Sequence, residues 1–203
     1  MPSIKRKAGY VWEAFFLKQD TDIIEKVQNG DHEAFSDLVT KYHRNVYNLA
    51  YRLTGNREDA MDITQEAFLR VFRGIPSFQL EKPFLPWAYR ITWNLCADRG
   101  RKIGRSLPEE SLDGNEITRA RVSSEEPAPD QIYENKELGE TLKQAVNRLK
   151  DGYRELIILF HVEGLSINEI SEITGMKATV IKNRLYRGRQ ALKKILLEDG
   201  FSW

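Results

Sequence analysis

Apolar residues recur at three- and four-residue spacings along almost the whole chain, and alternating segments of the kind strands need are scarce. That periodicity predicts an all-α protein. It stops once, between Gly104 and Asp130, where Pro108, Pro127 and Pro129 stand among Glu109, Glu110, Glu125 and Glu126 and large apolar groups are few. The break reads as a flexible acidic linker over 104–131, joining two small helical domains at 21–103 and 132–203. Each is near the lower size limit for an autonomous helical domain. Residues 1–20 form an N-terminal extension, basic and then aromatic, to which the sequence assigns no role.

The 41% hydrophobic content is enough for packed cores, but 31 Lys and Arg against 30 Asp and Glu leave a net charge of only +1. Any affinity for nucleic acid must therefore come from local asymmetry. Cys96 has no second cysteine to pair with, and His32, His43 and His161 are scattered, so neither a disulfide nor a metal or other cofactor is expected. No run approaches the ~18 consecutive apolar residues of a membrane span. The apolar patch from Tyr10 to Leu17 is broken by Glu13, no signal-peptide cleavage pattern appears, and a cytoplasmic protein is expected. Without an acid–base pair, nucleophile motif or phosphate loop, the sequence predicts no catalytic residues and no small-molecule substrate.

Ser166 and Glu169 have capping-box spacing, which predicts a helix starting near Ser166 with Ile167, Ile170 and Ile173 on its buried face. Gly175 supplies a turn residue. A second helix is predicted from about Ala178 to Leu197, with Ile181, Leu185, Leu192 and Ile195 on one stripe, and together they make a helix-turn-helix. No acidic residue lies between Glu172 and Glu198, whereas Lys177, Lys182, Arg184, Arg187, Arg189, Lys193 and Lys194 are all basic. Ala178, Lys182, Asn183, Tyr186 and Arg189 fall away from the apolar stripe, where side chains can enter a major groove and meet phosphates. The plain alternative is a solvated basic helix.

In the first half, the run from Asp59 to Phe72 is amphipathic: Ala60, Ile63, Ala67 and Val71 form an inward stripe, while Asp62, Gln65, Glu66 and Leu69 share another face. An acidic face carrying an apolar residue suits a protein partner better than DNA, although an ordinary solvent face fits the periodicity equally well. Further on, Pro86 is well placed to start a helix in which Ala88, Ile91 and Leu95 point inward and Arg90, Asn94, Ala97 and Arg101 align opposite. Rings beside cations are what unpaired DNA needs, since bases stack while phosphates meet charge. By residue type alone, Trp87, Tyr89 and Trp93 read more readily as core.

The order of these segments carries a resemblance. The run from Asp59 to Arg70 (DAMDITQEAFLR), then Trp87 to Asn94 (WAYRITWN) with Asp98 and Arg101, the acidic linker, Tyr153 to Glu155 (YRE), Glu163 to Ser166 (EGLS) and Ile181 to Arg189 (IKNRLYRGR) resembles the extracytoplasmic-function sigma factors over nearly all the chain after Asp20. The resemblance implies that the first domain, sigma region 2, binds the clamp helices of the RNA polymerase β′ subunit and recognises and melts the minus-ten promoter element. It implies that the second, region 4, sits on the β flap and reads the minus-thirty-five element. Asp62, Gln65, Glu66 and Leu69 then fall on the core-binding helix. Phe84, Trp87, Arg90, Asn94, Asp98 and Arg101 fall on the minus-ten surface, and Lys177, Thr179, Lys182, Asn183, Tyr186, Arg187 and Arg189 on the minus-thirty-five surface. An anti-sigma factor is a further partner the resemblance implies.

Leu85 and Pro86 stand where many members carry small polar residues, Thr179 and Val180 replace a usual glycine and threonine, and Lys150 replaces a usual proline. The promoter sequence is therefore not transferable from relatives. The competing reading, a one-component helix-turn-helix regulator with 21–103 as sensor, accounts for the last domain but not for the residues from Trp87 to Arg101.

Overall fold

The computed structural model describes residues 20–102 and 136–201, with side chains described for 20–100 and 139–201. Every regular element among them is helical. The linker predicted at 104–131, residues 1–19 and the side chain of Arg101 lie outside the described residues.

Four helices build the first half: residues 20–28 (α1), Phe35–Thr54 (α2), Arg57–Gly74 (α3) and Phe84–Lys102 (α4), with a 3-10 turn at Ile75–Ser77. Leu38, Tyr42, Val46, Leu49 and Leu53 recur at three- and four-residue steps and form the buried stripe of α2. Gly55, at φ 70°, ends that helix in the left-handed conformation that glycine adopts without steric cost, its N–H bonded to the Tyr51 carbonyl. One residue later the Asn56 side chain accepts from the N–H groups of Glu58 and Asp59 and caps α3. The predicted inward stripe of α3, Ala60, Ile63, Ala67 and Val71, is buried. Two polar ties fix α1: the Asp20 carboxylate accepts from the Tyr42 hydroxyl and from Lys41, and the Gln28 amide donates to the carbonyls of Ile75 and Phe78. Pro86 lies in the first turn of α4, where its missing N–H would have had no helical partner.

The second half contains Lys136–Asn147 (α5), Arg154–Ile157 (α6) running into a π-helical turn at Ile158–Val162, then Ile167–Thr174 (α7) and Ala178–Glu198 (α8). Ser166 and Glu169 form the capping box expected of them, and Gly175, at φ 73°, makes the turn into α8. Gly188 lets α8 lie close against α6, since a Cβ there would sit 3.3 Å from Ile157 and from Tyr153.

The two halves pack on each other. One apolar cluster is internal to the first domain. The other combines Leu49, Leu53, Tyr89 and Trp93 of the first domain with Leu149, Leu156, Leu159, Leu165, Ile170, Ile181 and Leu185 of the second. Burying a leucine-sized side chain of this kind contributes about 1.5–3 kcal/mol relative to leaving it in water. The contact is made chiefly by α7 on α4.

Candidate nucleic-acid interface

On α3, Asp62, Gln65 and Leu69 are exposed and Glu66 is half-buried, so the predicted face exists. It borders an open groove between α3 and α4 of about 350 Å³, lined by Asp62, Ile63, Glu66, Arg70, Leu95 and Arg99, among others. Glu66 pairs with Arg70 at 2.8 Å and Asp62 lies 3.8 Å from Arg99. At this exposure such pairs hold orientation more than they stabilise. Leu69 is 51% exposed, an apolar residue left in water beside carboxylates.

On α4 the structure separates what sequence grouped. Arg90, Asn94 and Asp98 are exposed on one side. Phe84 is a correction to the predicted surface: it is 1% exposed, packed between Tyr42 and Phe78 at ring-centroid distances of 5.0 and 6.3 Å. Its ring presents no face to DNA because it closes the core where α4 begins. Trp87 is half-buried, its indole held by Phe78 at 4.6 Å and Phe84 at 5.8 Å. A Cβ added at Gly74 would lie 3.0 Å from the same indole, so the glycine gives that ring its seat. The outcome is a half-buried indole supported by Phe78 and Phe84, on the helix that also carries exposed Arg90, Asn94 and Asp98. Tyr89 and Trp93 are core, as residue type suggests, though they face the second domain.

The outward side of α8 is as predicted. Lys177, Thr179, Lys182, Asn183, Tyr186, Arg187 and Arg189 are all exposed, Tyr186 at 56%. Arg184 departs from the basic set: it is buried, with its guanidinium against the Met176 sulfur at 3.8 Å. Arg189 lies 5.6 Å from the Phe160 ring centroid. Burial and then Arg189 push the neighbouring His161 below its ordinary value, so the charge on this side belongs to the lysines and arginines. Burial pushes the Cys96 thiol up to about 12, with Asp59 adding to it, which disfavours the thiolate at this partly buried cysteine. Among the described residues no cluster of His, Cys, Asp or Glu is placed to hold a metal ion, and no helix is long and apolar enough to cross a membrane.

A polar group that sequence reading missed sits at the seam between the halves. The Glu163 carboxylate accepts from Arg52 of α2 and, at 2.6 Å, from the Tyr89 hydroxyl of α4. Arg154 donates to the Leu53 carbonyl at 2.7 Å, in the last turn of α2, where carbonyls lack helical partners and a cation is favoured. Burial, and then the bond to Glu163, pushes the Tyr89 hydroxyl well above its usual value, so it remains a donor. The π turn that delivers Glu163 has no signature in residue type.

Known proteins with these features are similar along the same lines. Residues 38–106 match the Sigma-70 region 2 family and residues 139–192 the Sigma-70 region 4 family. The chain is 38% identical over 179 residues to the ECF RNA polymerase sigma factor SigW of Bacillus subtilis, an alignment covering 85% of this chain and 94% of that one. It is 40% identical over 174 residues to the ECF RNA polymerase sigma factor SigE of Mycolicibacterium smegmatis, covering 82% and 64%. Among solved structures, CnrH in complex with the cytosolic domain of CnrY shares the fold at a TM-score of 0.62 and 19% identity, over 89% of this chain and 99% of that one.

Proposed function

The chain belongs to the ECF RNA polymerase sigma factors, and on that footing we propose how its two domains divide promoter recognition between them. The function itself is to bind core RNA polymerase, bring it to particular promoters and help open them. In this reading the polymerase performs the phosphodiester chemistry and this chain, acting in the cytoplasm, supplies no catalytic residue. Residues 21–103 dock on the β′ clamp helices through Asp62, Gln65, Glu66 and Leu69 and receive the minus-ten element on Trp87, Arg90, Asn94, Asp98 and Arg101. Residues 132–203 dock on the β flap and place α8 in the major groove of the minus-thirty-five element, with Lys177, Thr179, Lys182, Asn183, Tyr186, Arg187 and Arg189 toward DNA. An anti-sigma factor is the regulatory partner.

The observation that carries this division is the Trp87 edge, braced by Phe78 and Phe84 beside exposed Arg90 and Asn94. Unpairing a base costs a few kcal/mol, and stacking returns about 1–3 kcal/mol per base, so a rigid platform can offset local melting. Phe84, being buried, acts through Trp87.

The test separates opening from binding. Asn94→Ala and Trp87→Ala should impair transcription from a duplex promoter and be partly rescued on a template with a pre-melted bubble, because the bubble removes the unpairing cost. Lys182→Ala should gain nothing from the bubble. Rescue of Lys182→Ala alone would mean the two domains have been assigned the wrong way round.

A further inference from the structure

We propose that Gln28, at the end of α1, is a positioning residue for promoter opening: its side-chain amide fixes the turn against which the Trp87 indole is seated. The inference deepens the reading above and rests on Trp87 belonging to the minus-ten surface.

Gln28 is half-buried in the last turn of α1, a helix whose Ile24 and Val27 enter the core of the first domain. Its Nε2 donates to the Ile75 carbonyl at 2.9 Å and to the Phe78 carbonyl at 3.0 Å. One of these carbonyls opens the 3-10 turn Ile75–Ser77 and the other lies just past its end. A primary amide carries two N–H groups on one nitrogen, so a single uncharged side chain bridges both. The Ile75 carbonyl also accepts from the Phe78 N–H at 2.9 Å, and its second lone pair is left for Gln28. A turn this short has poor internal hydrogen-bond geometry, so its shape depends on partners outside it.

Two supports of the indole hang on that turn. Gly74 stands immediately before it, where an added Cβ would lie 3.0 Å from Trp87. Phe78 stands immediately after it, with its ring centroid 4.6 Å from that of Trp87. The other end of α1 is tied to α2, where the Asp20 carboxylate accepts from Lys41 at 2.7 Å and from the Tyr42 hydroxyl. At 1.5 Å per residue α1 is thus a strut about 13 Å long, running from α2 to the turn. Gln28 is the polar joint at its far end.

Stacking favours an unpaired base only where the ring beneath it is held in place, because a loose ring must be ordered at the expense of the contact. Without the two amide bonds the turn loosens, and Gly74 and Phe78 no longer fix the tilt of Trp87. The consequence falls on the melted promoter, since a closed duplex offers no unpaired base to stack.

The test uses the full chain with core polymerase on a promoter that the wild-type holoenzyme transcribes, as intact duplex and with a pre-melted bubble. Gln28→Leu removes both donors, and Gln28→Glu, of nearly the same shape, turns an acceptor toward the two carbonyls. Each should leave closed-complex retention unchanged. Each should lower permanganate reactivity of minus-ten thymines, and transcription from the duplex, by about tenfold, as loss of two neutral hydrogen bonds implies. Transcription from the bubble should recover. Because Gln28 acts through the ring, adding Gln28→Leu to Trp87→Ala should deepen the Trp87→Ala defect less than twofold. Defects that multiply in the double variant, or that the bubble does not relieve, would overturn the proposal, since a general loss of fold is blind to both the ring and the template. If Trp87→Ala is defective while Gln28→Leu and Gln28→Glu open the duplex normally, Gln28 alone is misassigned. If Trp87→Ala itself opens the duplex as wild type does, the minus-ten reading fails and this inference goes with it.

Discussion

Asp62 and Glu66 show how single residues divide between holding the fold and serving the surface. The cations paired with them, Arg99 at 3.8 Å and Arg70 at 2.8 Å, belong to largely exposed pairs worth ~0–1 kcal/mol. Asp62→Arg with Glu66→Arg should therefore leave the helical circular dichroism spectrum and melting point nearly unchanged while lowering retention on core polymerase by tenfold or more. Unchanged co-purification with core would remove this face from the docking surface. Phe84 is the opposite case. Its place in the chain suggested DNA, but a phenylalanine at the first position of α4, with Tyr42 and Phe78 beside it, gains more by closing the core than by waiting for a base.

At the level of elements, what depends on neighbouring residues could be read from sequence. The Ser166 and Glu169 capping box, the Gly175 turn and the bounds of α8 follow from spacing and from the conformational freedom of one glycine, and the structure places them where spacing puts them. Gly74 as the seat of Trp87 could not be read, because nothing in residue order says which ring will lie against it. For α8 the one-sign outer face leads to a quantitative expectation. Lys182→Ala and Arg189→Ala should each cost about 1–3 kcal/mol of minus-thirty-five binding if the side chain reaches a base edge, and less if it meets phosphate. A phosphate contact should also flatten the salt dependence by about one counterion. Binding titrations at several salt concentrations tell these apart, and a double variant that binds the promoter duplex equally well would take α8 out of the groove.

For the whole molecule, sequence delivered two helical domains and their order but not their contact. The ties at the seam join residues 74, 101 and 111 positions apart, and no local periodicity encodes such pairings. Residue type suggests burial for Tyr89 and Trp93; it does not say against what. The central claim, that this chain gives core polymerase its promoter specificity, is tested most directly by in vitro transcription with purified core on genomic fragments, with and without the chain. Discrete transcripts that need the chain, and that disappear with the Asp62→Arg, Glu66→Arg variant, are the predicted result. Core polymerase that produces no chain-dependent transcripts in the presence of the folded protein would contradict it.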